Sequence, residues 1–97
     1  MGDTGIDSVV LEEIRELARK NHIRKVILFG SRARGDYHRA SDIDLAVSGG
    51  DILNFTLEVE ENTSTLLTYD VVDIGRELDR SFLESIKREG RVLYEEV

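Results

Sequence analysis

Two short segments of this 97-residue chain combine residue types that could do chemistry together: Gly30-Ser31 and, after ten intervening residues, Asp42-Ile43-Asp44. If the second opens a strand, alternation puts Asp42 and Asp44 on one face, with Ile43, Leu45 and Val47 on the other. Two adjacent carboxylates repel each other unless a cation lies between them. Oxygen-only ligation suits Mg²⁺, which keeps several waters and completes its shell with substrate phosphates. The plain alternative is a pair of solvated charges on an exposed ribbon, but Leu45-Ala46-Val47 follow directly and tie the pair to a buried strand. Gly30 lets backbone approach a phosphate closely, and successive N–H groups at such a turn can cradle an anion. An ordinary turn glycine is the plain alternative there. Two other motifs fail on their residues. Gly30 and Gly35 have Walker A separation, yet Asp36-Tyr37 stands where Lys-Ser/Thr is required, and an EF-hand loop would need other residues at Ala46 and Val47.

The elements that must position these residues read as α-β-β-α-β-α. Val10, Leu11, Ile14, Leu17 and Ala18 recur at helical spacing, predicting an amphipathic helix over Asp7 to Asn21, after a frayed start from Met1 to Ile6. Lys25 to Phe29 reads as a strand ending at Gly30, Ser31 to Ser41 as a polar turn, and Ile43 to Val47 as a second strand closed by Gly49-Gly50. A second helix is expected from Asp51 to about Thr65 on Leu53, Leu57 and Leu67, and a third strand over Tyr69 to Ile74. Ser81 and Glu84 have capping-box spacing before Phe82, Leu83 and Ile86, and Gly90 stands where a helix C′ residue would. Val92 to Tyr94 reads as a short edge strand. The result is an α/β layer on a small mixed sheet, one domain over residues 1–97.

Composition narrows the partners. Thirteen Lys and Arg against 20 Asp and Glu give a net charge of −7, without the basic stripe that long nucleic acid requires. No cysteine is present, which removes disulfides and zinc–thiolate sites. No apolar stretch approaches a membrane span or a leader, so a soluble cytoplasmic protein is expected.

Gly30-Ser31-Arg32-Ala33-Arg34-Gly35 followed by Ser41-Asp42-Ile43-Asp44-Leu45 resembles the signature of the DNA polymerase β-type nucleotidyltransferase superfamily. The resemblance is strongest to its smallest branch, the minimal nucleotidyltransferases. The third strand and Gly90-Arg91-Val92-Leu93-Tyr94 extend the likeness over nearly the whole chain. It implies a palm-like fold with helices packed on one side of the sheet, and two-metal nucleotidyl transfer from ATP. Asp42 and Asp44 would hold Mg²⁺, two ions in all, with a third carboxylate on a neighbouring strand. Asp70 matches that place better than Asp73, which sits on the opposite face three residues on. Gly30, Ser31 and Arg34 would bind the nucleotide's phosphates. Arg32 could do so too, though either arginine could equally be a solvated turn residue.

Stand-alone members of this branch pair with small helical HEPN proteins as toxin and antitoxin, so the resemblance implies an antitoxin that adenylylates a HEPN-type ribonuclease toxin. The alternatives are a binding antitoxin without chemistry, and nucleotidyl transfer to a small-molecule acceptor. The sequence leaves homo- and hetero-oligomers equally open. His22 and His38 read as surface groups, Tyr37, Tyr69 and Tyr94 as packing, and Glu58, Glu60 and Glu61 as a solvated helix face.

Overall fold

The computed structural model describes residues 3–96. Helix α1 (Ser8–Lys20) is followed by strand β1 (Lys25–Phe29), the short helix α2 (Ser31–Arg34) and strand β2 (Ile43–Ser48). Helix α3 (Ile52–Asn62), strand β3 (Tyr69–Asp73), helix α4 (Arg80–Glu89) and strand β4 (Arg91–Glu95) complete the chain. The sheet order is β3-β2-β1-β4. β1 runs antiparallel to β2 and β4, and β2 runs parallel to β3, so the sheet is mixed, as expected.

Register sorts the two faces. Val26 and Leu28 of β1 oppose Val47 and Leu45 of β2, and all four are buried together with Ile43. Val10, Ile14 and Ala18 of α1, with Phe55 and Val59 of α3, close over them to form the core. The other face carries Ile27 and Phe29 opposite Ala46 and Asp44. Helix α4 lies there: the Phe82 ring meets Phe29 edge to face, 5.5 Å between centroids. Helices on one side therefore describes α1 and α3, while α4 departs from it. Among the described residues no helix is long and apolar enough to cross a membrane.

Several local expectations need correction. Met1 and Gly2 lie outside the described residues, but Thr4 and Ile6 are buried and not frayed. Ser31–Arg34 forms a helical turn where only a polar loop was expected. On α3 the buried stripe is Phe55 and Val59, which leaves Leu53 74% and Leu57 50% exposed, because the inward face follows the aromatic residue and not the leucines. The cap of α4 is Asp79, whose carboxylate accepts from Ser81 N and Phe82 N, in place of a Ser81 capping box. Gly90 is extended (φ −71°, ψ 155°) and not left-handed; it is needed because a Cβ there would collide with the Ile86 carbonyl and the Ile27 side chain. Glu58 is no free surface charge. It accepts from Lys20 Nζ (2.6 Å), Asn21 Nδ2 (2.8 Å) and Asn54 Nδ2 (3.0 Å), which hold its carboxyl below the usual range.

Candidate active site

The site lies on the α4 face, at the end of the sheet where β1 stops and β2 and β3 begin. β1 ends at Gly30, whose backbone (φ 75°, ψ −157°) is open only to glycine. A Cβ at this position would run into the carboxylate of Asp44. Ser31 follows at once and opens α2, where Ala33 and Arg34 N–H donate to the Gly30 carbonyl. Gly35, left-handed at φ 93°, ends that turn. The Gly-Ser bend and the second aspartate of D-x-D are therefore direct neighbours.

Asp44 pairs in parallel register with Asp70, whose neighbours Tyr69 and Val71 pack toward the core, so the two carboxylates share the outer face. Asp42, one residue ahead of β2, precedes Asp44 on that face. It is exposed and accepts a short hydrogen bond from the Thr68 hydroxyl. Asp73 pairs with Val47 near the far end of the strands, and its carboxylate accepts from Gly75 N at 2.9 Å. Of the two candidates for a third carboxylate, the fold brings Asp70 and not Asp73 to Asp44.

Electrostatics bear the marks of this grouping. The Asp44 carboxyl is raised above its ordinary 3.8, first by burial, then by the negative charges of Asp70 and Asp42, with Arg34 pulling the other way. Three carboxylates in one field disfavour ionisation of the most buried member unless positive charge arrives. Among the described residues, no three acidic or histidine side chains already converge as a closed metal cage. The donor set still fits Mg²⁺, which takes one or two carboxylates and draws its remaining ligands from water and phosphate.

The two arginines divide. Arg34 is exposed, within electrostatic reach of Asp44, and ion-paired with Asp36 (3.3 Å) and Glu89 (3.7 Å). Arg32 is only 1% exposed and points into the protein, which rules out the phosphate contact considered for it. Its guanidinium donates to the carbonyls of Ser41 (3.0 Å), Thr4 (3.0 Å) and Arg39 (3.2 Å) and lies 4.8 Å over the Tyr37 ring. It clamps the loop that leads into Asp42. From the other side, Arg91 Nε donates to the Ala33 carbonyl at 2.9 Å and holds α2 in place. Sequence reasoning missed Thr68 as the partner of Asp42; its place just ahead of the Tyr69-Asp70 strand was the available signal.

The whole of this geometry falls within residues 12–97, which match the family model "Polymerase beta, Nucleotidyltransferase". The chain belongs to that family and is a nucleotidyltransferase. It is 38% identical over 84 residues to "Putative protein adenylyltransferase MJ0604" of Methanocaldococcus jannaschii, covering 77% of this chain and 82% of that protein. Among solved structures it is similar to a toxin–antitoxin with AMP-PNP (TM-score 0.68, 28% identity, 89% of this chain and 73% of that one). A mutant of the toxin–antitoxin MntA-HpeT is similar to the same degree, with a TM-score of 0.67 and 26% identity over 89% and 73% of the two chains.

Proposed function

We propose that this protein is a Mg²⁺-dependent protein adenylyltransferase that serves as an antitoxin, transferring AMP from ATP to a hydroxyl of a HEPN-type ribonuclease toxin. The observation that carries the chemistry is the grouping of Gly30, Asp42, Asp44 and Asp70 at one end of the sheet, with the Asp44 carboxyl pushed up by its acidic neighbours. The likeness to a relative named as a protein adenylyltransferase and to toxin–antitoxin structures supports the acceptor and the biological role.

In this reading Asp42, Asp44 and Asp70 hold the metal, and bound Mg²⁺ supplies a lowered pKa for the attacking hydroxyl and charge for the triphosphate. Thr68 orients Asp42 through its hydrogen bond. Gly30 admits the phosphates close to the backbone, and Ser31 with the first N–H groups of the turn holds their terminal oxygens. Arg34 adds a charge-assisted bond on the same side. The acceptor oxygen attacks the α-phosphorus in line, the bond to pyrophosphate breaks, and the protein contributes position and charge with no covalent intermediate of its own.

The test is to purify the protein with its toxin partner, add Mg²⁺ and ATP, and weigh the partner. A mass gain of one AMP that disappears in Asp44→Asn is the expected result. No gain, or a gain that persists in Asp44→Asn, overturns the proposal. Full toxin suppression by a double Asp42→Asn, Asp44→Asn variant would replace it with neutralisation by binding alone.

A further inference from the structure

We infer that the cavity between α4 and the β1–α2 turn receives the nucleobase of the triphosphate, and that it favours a base bearing an exocyclic amine. The inference rests on the nucleotidyltransferase reading and adds to it a base-selecting element that the sequence did not disclose. The cavity measures about 200 Å³. Whole ligands of drug size occupy roughly 300–1,000 Å³, so this one suits part of a nucleotide. A larger hollow of about 430 Å³ is lined by Val9, Leu17 and three glutamates of α1, with Asn62 at the end of α3, on the helical layer and not among the carboxylates.

The smaller cavity begins at the chemistry. Gly30 lines its mouth, and the same glycine abuts Asp44. Arg34 lines it too and links the two regions, because its charge acts on Asp44 while its guanidinium pairs with Glu89 at 3.7 Å. A ligand whose phosphates sit at the Gly30-Ser31 bend can therefore extend a flat ring along α4. The walls suit one: Phe29 and Phe82 are set edge to face, and Ile86 is buried. Aromatic and aliphatic walls with a few convergent polar groups are the usual make-up of such a subsite.

The polar end sets the preference. The Ser85 hydroxyl donates to the Phe82 carbonyl at 2.8 Å, so only its lone pairs face a ligand. The Glu89 side chain is 30% exposed and, when ionised, only accepts. An end made of acceptors matches the exocyclic amine of adenine or cytosine. It repels the carbonyl edges of uracil and thymine, since an unpaired acceptor facing another acceptor costs affinity.

Calorimetry of the intact protein in Mg²⁺ with ATP, UTP and inorganic tripolyphosphate tests this. ATP should bind at least about tenfold more tightly than tripolyphosphate, and UTP little better than tripolyphosphate. Glu89→Gln, whose amide can also donate, should bring UTP to within a few-fold of ATP. Ser85→Trp, filling the cavity, should weaken ATP about tenfold or more while leaving tripolyphosphate unchanged. Equal binding of all three ligands by the unmodified protein overturns the inference and leaves the nucleotidyltransferase reading intact. So does an ATP preference that Glu89→Gln does not alter. Ser85→Trp that binds ATP normally but raises KM for the protein acceptor would assign the cavity to the acceptor and overturn it as well. No binding of any of the three, with Asp44→Asn behaving like the unmodified protein, would remove the underlying reading of the site and this inference with it.

Discussion

Gly30 and Asp44 occupy space that only one side chain can fill: the carboxylate of Asp44 stands where a Cβ at Gly30 would be. The bend and the aspartate were inferred separately from sequence, yet they are packed as one unit. Gly30→Ala has to displace Asp44 and also adopt a backbone region that residues with a Cβ avoid. We expect a loss of about 1–3 kcal/mol in stability and at least about a tenfold drop in nucleotidyl transfer, measured by urea unfolding and by AMP incorporation. A variant as stable and active as the parent would contradict this packing.

Asp44 should trade stability for function. Its carboxyl is raised above 3.8 in the folded state by burial and by Asp70 and Asp42. A raised carboxylate contributes stability that is fully present below the unfolded pKa and is lost as pH rises through the folded value. At neutral pH without metal, the ionised group is therefore a penalty that Asp44→Asn removes. Thermal melts in chelator should show the variant a few degrees more stable at neutral pH, with the gain vanishing below pH 3.8. Mg²⁺ with ATP should stabilise the parent more than the variant. A variant less stable at neutral pH in chelator would show that Asp44 is held by favourable contacts and not by tolerated repulsion.

Arg32 has a structural part, and its loss should be felt in folding first. Removing the guanidinium strips donors from the carbonyls of Thr4, Arg39 and Ser41. Leaving buried carbonyls unpaired costs roughly 1–3 kcal/mol each, so Arg32→Met should cost about 3 kcal/mol or more in chemical denaturation. Lysine cannot reproduce a planar fork with several donors, and Arg32→Lys should recover only a minor share. Wild-type stability in either variant would contradict the clamp.

Glu58 sets an acid limit. Its carboxyl is held below the ordinary 4.5 by hydrogen bonds from Lys20 and Asn21. A depressed carboxylate contributes stability that is present above the unfolded pKa and lost as pH falls through the folded one. Glu58→Gln should lower the melting temperature at neutral pH, and the gap to the parent should close as the solution is acidified below pH 4.5. A gap independent of pH would mean that shape, not charge, joins α1 to α3 there.

Much of the candidate site could be read in the chain because its parts are local. Gly30-Ser31 and Asp42-Ile43-Asp44 each fall within a few residues, and strand alternation alone separates Asp42 and Asp44 from Ile43. The order of elements followed from periodicity in the same way. What escaped was long-range or decided by competition among similar residues. Arg32 and Arg34 look alike in sequence, and only the return of the N-terminal segment to the 38–41 loop makes one a buried clamp. Leu53 and Leu57 had helical spacing, but Phe55 and Val59 took the inward face of α3. Thr68 and Asp42 are 26 positions apart and meet only because β2 and β3 lie parallel. The α4 cavity needs Phe29 and Phe82 from elements distant in the chain, and no short pattern announces it.

One guanidinium holds the Thr4 carbonyl and, on its other side, the carbonyl of Ser41, the residue just before Asp42. Force on the leading segment, whether from a fused domain upstream or from a binding protein that grips it, is transmitted through that tether to the first aspartate. The N-terminal end thus works as a handle on the metal-binding loop, and a tag placed there is no neutral choice for anyone measuring turnover.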